Sequence, residues 1–164
     1  MTESVLSPSA GYSRQSGAWA RAWEEPAYGA FWILRIGFVV LPLWMGIDKF
    51  SNTLTFWPHY LAPWVVGLLP FSAQTAMYLV GVVEIVAAVA IAVKPRYASY
   101  VVALWLAGIV LNLLTYPGFY DVALRDFGLL VAALALSRLA QVYDAPWGMP
   151  VRRRASTPES AGTR

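Results

Sequence analysis

The sequence predicts an all-α integral membrane protein, in which four transmembrane helices form one bundle. Of its 164 residues, 59% are hydrophobic and only 13% are charged. The mean hydropathy is +0.54. This composition lies outside the range of ordinary soluble domains. Four apolar runs come close to the ~20 residues that one bilayer crossing requires, so a single membrane domain with two tails accounts for the whole sequence.

The chain divides into two tails and one membrane domain. Residues 1–17 are rich in Ser, Gly and Pro and predict a disordered tail, and residues 146–164 predict a basic disordered tail. Between them, residues 18–145 form the predicted transmembrane domain. Its four crossings are expected at about residues 31–47, 76–93, 98–116 and 122–139. Residues 18–28 alternate tryptophan with charge, which favours a short helix on the membrane surface, with an ordinary polar tail as the alternative.

The connection between the first two crossings, residues 52–72, is too apolar for a plain loop. Pro58, Pro63 and Pro70 interrupt it, and a continuous transmembrane helix tolerates such breaks poorly. We therefore expect short interfacial helices and turns in an extracytoplasmic loop. A re-entrant fifth crossing is the alternative.

The positive charges outside the crossings predict the orientation in the membrane. Arg21 precedes the first crossing, Lys94 and Arg96 separate the second from the third, and only Lys49 lies on the other side. By the positive-inside rule both termini are cytoplasmic, and an arginine-rich composition favours a bacterial cell membrane. Trp57 and Trp64 would then belong to an outer aromatic belt. The residues assigned to topology or lipid contact are Arg35, Lys94, Arg96, Arg152, Arg153 and Arg154.

Two features of the composition limit the chemistry. The sequence has no cysteine, which excludes disulfides, thiol nucleophiles and iron–sulfur ligation by this chain. Its one histidine, His59, rules out bis-histidine haem and histidine-rich metal sites. We therefore expect no metal and no cofactor of its own, and a chain that is not catalytic alone. The basic C-terminal residues favour anionic lipid as a partner over nucleic acid.

Glu84 is the most informative intramembrane residue. It lies midway along the second predicted crossing, where an unpaired carboxylate costs several kcal/mol. The side chain must therefore be protonated, paired or turned toward a wet cavity. Asp48 and Lys49 end the first crossing, and Asn112 lies near the outer end of the third. The candidate polar site in the outer half of the bundle therefore has six residues: Asp48, Lys49, Glu84, Asn112, Arg125 and Asp126.

Arg125 and Asp126 open the fourth crossing side by side. Adjacent residues of a helix point about 100° apart, so they cannot face the same neighbour. Asp121 precedes Arg125 by four residues, an order that favours a local ion pair, although Arg125 could instead reach toward Glu84. Lys49 is the candidate partner of Asp126. Five glycines are expected to allow close helix approach: Gly37, Gly46, Gly81, Gly108 and Gly128.

Four stretches taken in order resemble the DoxX family of small four-helix bacterial membrane proteins. They are "LRIGFVVLPLWMGIDKF" (34–50), "YLVGVVEIVAAVAIAV" (78–93), the turn "KPR" (94–96) and "VALRDFGLLVAALAL" (122–136). The resemblance covers roughly residues 31–139. The DoxX family is itself similar to the DoxD family. The resemblance implies an association with quinone-linked sulfur oxidation, with membrane complexes that handle oxidative stress, or with terminal oxidases.

Three functions remain open on this reading. The first is an accessory subunit of a membrane redox or respiratory complex, which contacts quinone near Glu84 and has membrane proteins and the lipid bilayer as partners. Any activity would then belong to a quinone-linked oxidoreductase. The second is a stand-alone proton-coupled carrier or membrane enzyme that uses Glu84, Arg125 and Asp126. The third is a purely structural or assembly subunit, in which the polar residues only hold helices together.

Overall fold

The computed structural model describes residues 18–144, and every regular element within them is helical. The elements are α1 (Ala18–Glu24), α2 (Pro26–Ser51), a 3₁₀ helix (Trp57–Tyr60), α3 (Pro63–Leu68), α4 (Ala73–Val93), α5 (Pro95–Leu114) and α6 (Tyr120–Tyr143). The prediction of an all-α fold is confirmed for this range. The predictions for residues 1–17 and 146–164, including Arg152, Arg153 and Arg154, lie outside the described residues.

Three of the described helices, α2, α4 and α5, are long and apolar enough to cross a membrane. Large apolar side chains on their outer surfaces are exposed, among them Trp44, Val86 and Leu104. Such surfaces suit a lipid environment and would be unfavourable in water. The prediction of a membrane protein is thereby supported. Helix α6, with Asp121, Arg125, Asp126 and Arg138, is not one of these three.

Helix ends differ by a few residues from the predicted crossings because turn residues, not hydropathy, set them. Pro26 occupies the first turn of α2, and the helix continues to Ser51, where Asn52 adopts a left-handed conformation with φ 52°. This helix is longer at both ends than residues 31–47. Pro95 starts α5, so the third apolar helix spans 95–114 rather than 98–116.

The four long helices pack as two antiparallel pairs that also contact each other. Helix α2 lies along α4, and α5 lies along α6, while further contacts join α2 to α6 and α4 to α5. The buried core is apolar and lies mainly toward the end where α2 and α5 begin. Its central side chains are Phe31, Phe38, Ile91, Val102 and Leu136.

Two arginines at this end join helices through backbone carbonyls. Arg35 donates to the carbonyl of Ala92 near the end of α4, and its guanidinium lies 5.0 Å from the ring centroid of Trp32. Arg96 in the first turn of α5 lies 3.4 Å from the carbonyl of Gln141 in α6. Cations near helix C-termini are also favoured by the helix dipole.

The short helix α1 is held against the same end. Glu25, between α1 and α2, accepts hydrogen bonds from the hydroxyl of Tyr143 and from the guanidinium of Arg21. These two hydrogen bonds lower the pKa of Glu25 below its usual value. The guanidinium of Arg21 also lies over the ring of Tyr28 at 4.4 Å. The first and last described helices are therefore linked at one end of the molecule.

Helices α2 and α4 touch through their backbones at Gly46 and Gly81. A Cβ added to Gly46 would lie 2.8 Å from the carbonyl oxygen of Gly81, and one added to Gly81 would lie 2.7 Å from that of Gly46. No larger residue fits this crossing without moving a helix. At Gly37, Gly108 and Gly128 an added Cβ would meet nothing within 4 Å, so the expectation of close approach is wrong for these three.

We predict that Gly46→Ala destabilises the protein by about 1–3 kcal/mol, because the added methyl group must push two helix backbones apart. Gly37→Ala on the same helix is the matched control. It should be neutral or slightly stabilising, since alanine favours a helix by roughly 1 kcal/mol over glycine. Unfolding of both variants in detergent micelles, followed by circular dichroism, measures the difference. Equal stability of the two variants would contradict the crossing.

Candidate functional site

A cavity of about 930 Å³ lies among α2, α4, α5 and α6 and borders the apolar core, since Phe38, Val102 and Leu106 belong to both. The segment 57–65, which contains the 3₁₀ helix and the start of α3, forms its outer wall. The remaining walls are mainly apolar, with Phe38, Met45, Met77, Leu106 and Leu129 among them. Sites for small organic molecules typically have such dimensions and apolar linings.

Lys49 and Glu84 form an ion pair in the cavity wall. The ammonium of Lys49 donates to Oε2 of Glu84 at 2.7 Å, and the lysine is only 4% exposed. The same ammonium lies 3.8 Å from the ring centroid of Trp57, a cation–π distance. Lys49 and Glu84 each lie three residues, about one turn, beyond Gly46 and Gly81. Because α2 and α4 run antiparallel, these two steps lead in opposite directions, so that Cβ of Glu84 packs against Gly46 and Cβ of Lys49 packs against Gly81. The two long side chains then meet across the crossing.

Asp48 faces away from the cavity and fixes the start of the loop. Its carboxylate accepts hydrogen bonds from the backbone amides of Thr53 and Leu54. It also accepts the indole N–H of Trp57 at 2.7 Å. A buried carboxylate with several donors is stable without a counter-ion close by. Asp48 is thus a structural residue that positions the ring of Trp57 beside Lys49.

Asn112 anchors the outer wall of the cavity. Its Oδ1 accepts from the amide of Ala62 at 3.0 Å, and its Nδ2 donates to the carbonyl of Tyr60 at 2.8 Å. Nearby, the indole N–H of Trp64 donates to the hydroxyl of Thr115 at 2.8 Å. Three side-chain hydrogen bonds from the end of α5 therefore hold the segment over the cavity.

Arg125 and Asp126 differ sharply in their surroundings. Arg125 lies 3.7 Å from Asp121, with the two side chains 70% and 77% exposed, so it forms the local ion pair that the spacing indicates. Asp126 is partly buried and lines the cavity. Within residues 18–144 it makes no hydrogen bond and no ion pair, although the charges of Arg125 and Lys49 act on it. Lys49 is bound to Glu84 instead.

The structure brings five of the six candidate residues to one cavity: Lys49, Glu84, Asn112, Arg125 and Asp126. The sixth, Asp48, does not line the cavity and instead accepts hydrogen bonds from backbone amides at the start of the loop. Arg35, Lys94 and Arg96 do not line the cavity. Within the described range, no three His, Asp or Glu side chains come together as a metal site would require.

Two tryptophans of the site were missed by sequence reasoning. Trp57, expected only in an aromatic belt, contacts both Asp48 and Lys49. Trp105 lines the cavity, and its indole N–H is buried without a hydrogen-bond partner in the described part of the chain. An indole N–H needs an acceptor when it is buried, and this requirement is the signal that could have drawn attention to both residues.

Comparisons with protein-family models, with curated proteins and with solved structures find no match to this chain.

We predict that Lys49→Met and Glu84→Met each destabilise the fold by about 3–5 kcal/mol, because each leaves one buried charge unpaired. The double variant removes both charges and should recover most of that loss. Unfolding free energies of the four proteins in the same micelles give the coupling energy.

Arg125→Ala provides the control for an exposed pair and should change stability by no more than about 1 kcal/mol. If the two single Met variants and their double variant showed simply additive losses, the two charges would not interact and the pair would be refuted.

Proposed function

We propose that this chain is a DoxX-like four-helix transmembrane protein that binds a quinone in its cavity and serves as an accessory subunit of a membrane redox or respiratory assembly. The observation that supports this most is the cavity itself, whose apolar walls end at a few polar groups. A quinone has the matching form, since it combines an apolar tail with a ring that carries two carbonyl oxygens.

A fourth crossing by α6 is part of this proposal. The helix has 24 residues and would extend about 36 Å at 1.5 Å per residue, enough for a bilayer core. It lies along α5, and most of its charged residues are near its two ends. With both termini cytoplasmic, Arg21, Lys94, Arg96 and Arg138 would lie at the inner surface of the bacterial membrane, as the positive-inside rule requires.

The polar groups of the cavity suit the carbonyl oxygens of a quinone. The ammonium of Lys49 has three N–H donors, and Glu84 takes one of them. The buried indole N–H of Trp105 lacks a partner in the described residues, and an unpaired buried donor costs about 1–3 kcal/mol. Trp105 lines the cavity, and a quinone carbonyl that reached this N–H would remove that cost.

The accessory role follows from what this chain brings to redox chemistry. Without cysteine and with one histidine, it has few of the side chains that usually hold redox metals. Electron transfer to a bound quinone would therefore use centres in partner subunits. Exposed apolar helix surfaces offer contact areas to such subunits as well as to lipid.

A stand-alone carrier or membrane enzyme is the second candidate. The unpaired Asp126 in the same cavity as Glu84 favours it, because intramembrane carboxylates commonly serve proton or substrate transfer. The purely structural reading explains Asp48 and Asn112 well. It gives no reason for the size of the cavity.

Quinone binding can be tested by titrating the purified protein with decylubiquinone and following the quenching of tryptophan fluorescence. We expect saturable binding that Trp105→Phe weakens about fivefold, the effect of losing one hydrogen bond of roughly 1 kcal/mol. Trp44→Phe is the matched control, since Trp44 lies on the outer surface and is 65% exposed. The Trp44→Phe variant should bind decylubiquinone with the same affinity as the unmodified protein.

Purification in mild detergent tests the accessory role. Stoichiometric co-purification with subunits that carry flavin, haem or iron–sulfur centres would support it. Turnover by the isolated chain would favour the second candidate. Quenching that does not saturate, or that responds equally to both tryptophan variants, would refute the quinone site.

A further inference from the structure

Among the described residues that line the cavity, Asp126 is the charged residue without a hydrogen bond or ion pair. The other charged residues in the lining are Lys49, Glu84 and Arg125. Lys49 and Glu84 neutralise each other at 2.7 Å. Arg125 has its own acid in Asp121, which does not line the cavity. One negative charge therefore remains on the cavity side.

None of the helices around the cavity supplies the missing positive charge at close range. From α2, Lys49 is held by Glu84 on α4 and by the ring of Trp57. From α5, Asn112 is neutral, and its side-chain oxygen and nitrogen are both used by the loop. On α6 itself, Arg125 also borders the cavity, but its side chain is 70% exposed and lies 3.7 Å from Asp121. A cation that comes close to such a partly buried carboxylate would stabilise its charged form.

Aromatic rings line the same cavity. Trp57, Tyr60, Trp64 and Trp105 all contribute to its walls. Faces of Trp and Tyr attract cations, and aromatic surroundings are the usual means by which proteins bind quaternary ammonium groups. Most of the remaining wall is aliphatic, which suits a cation with large apolar substituents. The unpaired carboxylate and the aromatic rings are independent features, and both favour the same chemical class of ligand.

We propose that the cavity binds a lipophilic organic cation, with Asp126 as its counter-ion and the aromatic rings around its apolar groups. This inference rests on the cavity being a binding site, as in the proposed function, and it adds a second ligand class. A neutral quinone leaves Asp126 unpaired, whereas an organic cation neutralises it. The two ligands therefore depend on different residues of one cavity.

Tetraphenylphosphonium is a suitable probe, and tetraphenylborate has nearly the same shape with the opposite charge. Both are titrated by calorimetry against the full chain in nanodiscs of zwitterionic lipid, and the heat of the same titration into empty nanodiscs is subtracted because both ions also partition into the bilayer. We expect saturable binding of the cation and none of the anion. Asp126→Asn should weaken binding of the cation about tenfold or more, since it removes the charge and retains the shape.

Two further variants separate charge from folding. Asp126→Glu keeps the carboxylate and should restore much of the affinity. Glu24→Gln makes the same charge change at an exposed position of α1 outside the cavity lining, and it should bind the cation within about twofold of the unmodified protein because its charge is screened by water. Circular dichroism of each variant establishes that the helices are intact.

Equal affinity of Asp126→Asn and the unmodified protein for the cation, or equal binding of both ions, would overturn the inference. Absence of saturable binding of the cation would also overturn it. Decylubiquinone is titrated against the same samples. If quinone still binds and depends on Trp105 while the cation does not bind, this inference fails and the proposed function stands. If neither binds, both fail.

Discussion

The backbone contact between Gly46 and Gly81 is the constraint on which the rest of the structure depends. Because neither residue has a side chain, α2 and α4 approach until a carbonyl of one helix lies against the other. Glu84 packs against Gly46 and Lys49 against Gly81, and their side chains meet across this contact at 2.7 Å in largely apolar surroundings. A buried pair of this kind adds little net stability, but it strongly disfavours any register in which its charges separate.

The cavity follows from this arrangement. Lys49 is followed by the end of α2, and its neighbour Asp48 binds the first amides of the loop and the indole of Trp57. The loop then returns over the helices and is held by Asn112 from α5. The same region thus aligns two helices, sets the start of the loop and encloses an open space. Its lining combines apolar walls with the Lys49–Glu84 pair and with the carboxylate of Asp126.

Much of the fold could be predicted because it depends on local composition. Apolar runs indicate the helices, and the four-residue spacing of Asp121 and Arg125 indicates their ion pair. The pairing of Lys49 with Glu84 joins residues 35 apart and depends on helix register, which hydropathy does not define. The sequence also does not distinguish Gly46, which contacts α4, from Gly37, which has open space around it, because the difference depends on the side of α2 that each residue occupies. The helix ends also differ from the predicted crossings. Single proline and capping residues set these ends, and hydropathy averaged over many residues does not resolve them.

The distance between Nζ of Lys49 and Cδ of Glu84 in a lipid bilayer is the most direct measurement. The sequence has only two lysines, Lys49 and Lys94, so ¹⁵N-lysine gives two side-chain signals that Lys94→Arg assigns. Dipolar recoupling to ¹³C-labelled glutamate should give a distance below about 4 Å for Lys49. The pairing, and the helix register that it fixes, would be contradicted if the Lys49 signal were dephased by ¹³C-labelled aspartate at Asp126 instead of by glutamate. Dephasing by neither label would contradict it as well.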